Sequence, residues 1–360
     1  MSTAAALAGP LDPSPAANSR ASLSQAPVSA ATTLHVAPAT VEVELRRERI
    51  ELDGRFTLSD PLGYFDRSSR TARLRRSNRR PHDQLLVEFA GRDVLTELTA
   101  AGRVVFSDLW TWQATIDGRP LAAAGPWKEV CWHTNAEVDY LEIELPLAEG
   151  WLLERQFVLG RKDRFVLVGD ALLHSSPHAP REVPISRSEM PTMSNHSPEI
   201  RYASTIPLAG GVRFAHERET HEGRLTAGRQ QVATLLPLAL PEWRAEHCHG
   251  DLTCGSDNAL MLMQAAQGHA LYAPLWIDLA PARTRQPLTW RRLSVGESLK
   301  TVPRDRAVGY RVQFGRQNWL IYRTLAPRGN RTVLGQNYCS KFVCCRMLKS
   351  GKTESIIEIE

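Results

Sequence analysis

Cysteine is scarce in this chain: six among 360 residues are too few to staple a fold, so stability has to come from buried apolar side chains. The same scarcity leads us to expect a reducing, cytoplasmic setting. Long apolar runs are missing too. The nearest, Ala259 to Ile277, is broken by Gln264, Gln267, Gly268, His269 and Pro274, so no membrane span is expected. The opening residues hold neither a basic leader nor a continuous apolar block, and no secretory signal is expected from them. Helical spacing never persists beyond a turn or two. A glycine-rich phosphate cradle, a nucleophile elbow and a zinc-protease motif are all absent, and no cofactor is expected. Residues 1–40 are poor in charge, with Asp12, Arg20 and His35 set among Ala, Ser, Pro and Thr. Such a segment buries too little apolar surface to offset the entropy of ordering it, and reads as a disordered tail.

What the chain does have is strand pattern. In residues 138–173, Leu141, Ile143 and Leu145 alternate with Glu142 and Glu144, the period-two signature of a strand with one wet face. The next two runs, Trp151 to Leu159 and Arg164 to Leu173, are apolar on both parities, as strands covered on both faces are. Together they predict an antiparallel meander. Similar runs continue to the end, with Asp117-Gly118 as a hairpin signal and Ala259 to Gln264 with Ala270 to Ile277 read as a buried hairpin broken at Gly268. About eighteen strand candidates point to an all-β fold, a large two-sheet antiparallel β-sandwich. Residues 41–360 read as one such domain. Residues 174–199, with five prolines and three histidines, read as a long loop within it.

Four groups of residues carry candidate chemistry. Arg67, Arg70, Arg73, Arg75, Arg76, Arg79 and Arg80 crowd together with no acidic residue between them. Arginine forks suit phosphate, sulfate or carboxylate, which makes Arg73, Arg76 and Arg80 candidates for an anionic ligand, while the plainer reading is a solvated loop between strands. No aromatics are interleaved for base stacking, so nucleic acid is disfavoured. The formal charge of +5 permits an acidic partner without requiring one. Trp110 and Trp112 share a parity and would make a stacking platform for sugar rings if exposed, or would fill the core. His133, with Tyr140 close behind, supplies side chains of the type that move protons. Arg155 shares a face with Leu153 and Phe157 and needs a partner, for which Asp170 is the natural choice, in a structural ion pair. If Leu159 opposes Arg164, Arg155 lies diagonal to Asp170. The segment from His247 to Cys254 collects metal-capable groups in no recognised ligand spacing, and no metal site is expected.

The run LLERQFVLGRKDRFVLVGDAL resembles the β-sandwich portion of heparinase II/III-like polysaccharide lyases. The wider pattern resembles the supersandwich that those enzymes share with galactose-mutarotase-like domains. The resemblance implies a carbohydrate partner, in particular an acidic polysaccharide. Three readings follow: a carbohydrate-binding β-sandwich without catalysis of its own; a sugar-active enzyme, lyase-like or epimerase-like, with His133 as proton carrier; and a weaker one, nucleic-acid binding through residues 67–80.

Overall fold

Strands apolar on both parities need cover on both sides. Trp151–Gly160, Phe165–His174 and Ala270–Asp278 obtain it at the middle of an eight-stranded antiparallel sheet. The computed structural model describes residues 62–78, 82–174 and 197–360, all within the compact unit Phe56–Glu360. The expected tail, Arg79, Arg80 and nearly all of the 174–199 loop lie outside the described residues. From edge to edge the sheet runs Val212–His216, Gly223–Ala227, Gln230–Pro237, Ala270–Asp278, Phe165–His174, Trp151–Gly160, Val138–Pro146, Lys128–Thr134.

One face of this sheet presents Leu141, Leu153, Phe157, Leu172 and Ile277 to two five-stranded sheets, one built from residues 64–109 and the other centred on Glu199–Pro207. The opposite face presents Tyr140, Val158, Leu167, Tyr272 and Trp276 to a third five-stranded sheet, which includes Ala307–Phe314, Gln317–Thr324 and Phe342–Met347. That sheet buries Leu320, Tyr322 and Val343 in turn against a four-stranded sheet. Each fully buried Leu or Phe contributes about 1.5–3 kcal/mol over its exposed state. The all-β antiparallel sandwich expected from the pattern is formed, with its central sheet shared by a sandwich on either side. Twenty-seven strands occur among the described residues; the shortest, such as Gly296–Glu297 and Lys300–Thr301, are too brief to show alternation.

Three local expectations change. The meander forms, but its turn spans residues 161–164, so Gly160 opposes Phe165 and Arg155 stands directly across from Asp170 rather than diagonal to it. Glu142 faces no water: the third sheet covers it, and its side chain is buried beside Arg323 and Lys341. Ala259–Gln267 and Ala270–Asp278 do not pair as a hairpin. Gly268, at φ +140°, turns the chain out of one sheet and into another, and its N–H donates to Pro198 O at 3.0 Å. The Asp117-Gly118 turn has the positive φ angles, 48° and 78°, that a tight hairpin requires.

The layers are tied by a buried ionic cluster. Arg323 donates to Glu142 Oε1 at 2.6 Å and to Glu154, while Lys341 donates to Glu154 Oε1 at 2.9 Å. Burial by itself would raise the Glu142 carboxyl, but Arg323 and Lys341 outweigh it and hold the group down at about 2.

Candidate functional site

The tryptophan platform does not form. The chain changes sheets at Trp110, between the strands Arg103–Leu109 and Thr111–Ile116, and the Trp110 ring turns into the core with 4% exposure. There the Arg155 guanidinium lies 4.1 Å from its centroid and Phe157 meets it edge-on at 5.5 Å. Trp112 is half-buried and packs on the same core. Arg155 grips Asp170 through two hydrogen bonds of 2.7 and 2.9 Å and donates to Trp110 O at 3.0 Å; the Tyr202 hydroxyl also donates to Asp170. Arg155, Asp170 and Tyr202 are all buried and partnered within the protein, which is how a structural ion pair is satisfied.

The arginine-rich stretch is not a free loop. Arg73 lies half-buried in the strand Thr71–Arg75, opposite Tyr64 and Leu86. Arg76 is paired with Asp83 at 3.0 Å, and Arg67 forks onto Glu129 with two bonds of 2.9 Å. The acids that meet these cations lie outside the run, Asp83 just past it and Glu129 far along the chain, so the uninterrupted run overstated the free positive charge. Arg80 lies outside the described residues. His133 and Tyr140 are direct cross-strand neighbours, yet they offer a ligand little. His133 is half-buried, with its Nε2 3.1 Å from Asn135 Nδ2. Tyr140 is sealed between layers and donates to Glu142 Oε2 at 2.9 Å; burial, then the Glu142 charge, pushes its phenol well above the usual value. It therefore keeps its proton and cannot serve as an accessible base.

The structure instead gathers polar groups around a cleft of about 580 Å³ that none of these candidates lines. It lies beside the corner at Gly268, where Gln264 and Tyr272 diverge into different sheets, and is completed by residues 239–249 and by the strands Leu288–Leu293 and Ala307–Phe314. Trp290 anchors one wall, its indole N–H donating to Leu240 O at 3.0 Å. Two positions further along that edge strand, on the same face, Arg292 stands opposite Tyr310. Arg304 also lines the cleft, and among the described residues neither the Arg292 nor the Arg304 side chain has a hydrogen bond or ion pair to the protein. Partial burial, and then the like charge of Arg304, lower the Arg292 guanidinium below its ordinary value. Glu242 and Glu246 line the same cleft and Glu246 acts on Arg292 from a distance, but neither forms an ion pair with either arginine, which leaves both guanidinium groups open to an incoming anion.

Aromatic surface accompanies them. Trp243, at 48% exposure, lines the same cleft, and Tyr310 stands beside Arg292 with its phenol pushed up by burial. The Tyr272 hydroxyl is turned away and donates to Gln156 Oε1 at 2.7 Å. Sequence reading singled out His247 to Cys254, whose first three residues line this cleft, but missed Trp243, Arg292, Arg304 and Tyr310, which are separated along the chain and brought together only by the fold. The available signals were the Arg291-Arg292 pair and a tryptophan set in a polar segment.

Fold and cleft together define an antiparallel, multilayered β-sandwich with an arginine-bearing groove. No family model and no curated protein matches the sequence. Among solved structures, the fold is similar to that of the heparan sulfate lyase HepC from Pedobacter heparinus, with a TM-score of 0.51 and 9% identity over 75% of this chain and 44% of that one. A mutant of the same enzyme aligns with a TM-score of 0.52 and 9% identity over 76% of this chain and 44% of that one. The chain thus spans less than half the length of these structures, and at this identity the likeness is one of fold.

Proposed function

We propose that this protein binds carbohydrate bearing anionic groups, and that the cleft between residues 239–249 and the strands Leu288–Leu293 and Ala307–Phe314 is where it does so. The observation that carries the reading is the nearness of Arg292 and Arg304, two cations with no ion pair to the cleft's own carboxylates Glu242 and Glu246, in a cleft that also exposes Trp243. Carboxylate or sulfate groups accept forked hydrogen bonds from guanidinium, and the C–H face of a sugar ring packs on indole. The fold likeness to a heparan sulfate lyase is consistent with such a ligand. Pairing of Arg67 with Glu129 and of Arg76 with Asp83 offsets part of the positive charge within residues 67–78, which weighs against nucleic-acid binding there.

Isothermal titration with an acidic oligosaccharide, such as a heparan sulfate fragment, against a neutral oligosaccharide of equal length tests the proposal. Binding of the acidic ligand alone is expected. Each charge-assisted hydrogen bond contributes about 1.5–3 kcal/mol, so Arg292→Ala with Arg304→Ala weakens binding by at least about tenfold. Equal affinity for both ligands, or an unchanged affinity in the double variant, contradicts it.

A further inference from the structure

The same cleft contains a thiol paired with a histidine. His221 is 4% exposed, and its Nδ1 lies 2.8 Å from Pro241 O. A carbonyl oxygen only accepts, so Nδ1 carries the hydrogen and Nε2 is left with the lone pair. That lone pair faces Cys248 Sγ at 3.7 Å, and Cys248 lines the cleft. The other neighbour of the thiol is Gly250 O at 3.6 Å. A nucleophile, a base within loose hydrogen-bond reach and a third group fixing the tautomer of the base form the arrangement that activates side-chain nucleophiles. Cys131 and Cys254 are similarly half-buried, and among the described residues neither has a histidine partner.

We propose that Cys248 is a nucleophilic thiol of the cleft, with His221 as its base, able to capture soft carbon electrophiles. On attack the Sγ–C bond forms, the bond from that carbon to the leaving group breaks with its electron pair, and the thiol proton passes to His221 Nε2. Burial raises the thiol and lowers the imidazole, so the pair rests neutral and the base stays free to accept. The charged groups facing the pair are Arg244, Asp251 and Glu246, of which Arg244 and Asp251 hold each other at 2.9 Å. The proposal concerns the same cleft but does not depend on the saccharide reading.

The full chain is treated with iodoacetamide across a pH series, and alkylation is followed cysteine by cysteine by mass spectrometry. An isolated thiol reacts about tenfold faster per pH unit below its pKa, because only the thiolate attacks. A thiol with a coupled base reacts at a rate nearly independent of pH between the two titrations. The expected result is a flat profile for Cys248 between about pH 7 and about pH 8.5, with rising profiles for Cys131 and Cys254. His221→Gln should restore the rise at Cys248, and Cys248→Ser should abolish the label there. A Cys248 profile as steep as those of Cys131 and Cys254, or no reaction at Cys248, overturns the proposal. The wild-type profile decides the matter even if His221→Gln fails to fold.

Discussion

At the scale of single residues, Trp110 separates what a sequence can say from what it cannot. Its parity with Trp112 holds only if one strand runs through both, and the chain changes sheets at Trp110. The ring then closes over Arg155 instead of facing a ligand. Trp110→Ala is therefore a core truncation, expected to cost about 3–5 kcal/mol in urea unfolding and to leave saccharide affinity unchanged where the variant is folded. Loss of affinity without loss of stability would contradict that placement. The Arg155–Asp170 pair was legible for a physical reason: a cation on an otherwise apolar strand face must find an anion, and only Asp170 was near enough in register. The diagonal was misjudged because the position of the four-residue turn, 161–164 rather than one residue earlier, cannot be read from its residue types.

At the scale of elements, the contact between the central sheet and the third sheet depends on Arg323. It is fully buried and meets both Glu142 and Glu154. Arg323→Met strands two buried carboxylates with Lys341 alone, and a loss of about 3–5 kcal/mol is expected in chemical denaturation. Acid should act on the same contact. The Glu142 carboxyl lies at about 2 in the folded protein against an ordinary 4.5, so its contribution is fully present above about 4.5 and is lost as pH falls through about 2. Asp139, Asp278 and Glu222, which burial raises, act in the opposite sense: protonation relieves their burial and favours the folded state on mild acidification. Unfolding free energy measured from neutral pH downward should fall mainly below about pH 4.5, and Glu142→Gln should flatten that limb. Identical acid limbs in wild type and variant would exclude Glu142 as the source. The burial of Glu142 was illegible because an alternating apolar and acidic pattern describes a wet face equally well until a distant arginine covers it.

At the scale of the whole molecule, the all-β class and the covered central strands could be read from parity alone, since an apolar residue on each side of a strand demands a layer on each side. The cleft could not. It exists because two consecutive strands, Ala259–Gln267 and Ala270–Asp278, separate into different sheets at Gly268, and no local pattern distinguishes that corner from a hairpin. The most direct test is hydrogen–deuterium exchange with and without a saturating heparan sulfate fragment. Slower exchange is expected in residues 239–249, in the strand Leu288–Leu293 and around Arg304, with none at Tyr64–Asp66, Thr71–Arg75 or Thr111–Ile116. Protection confined to Thr71–Arg75 and Thr111–Ile116, with the cleft unchanged, would contradict the account.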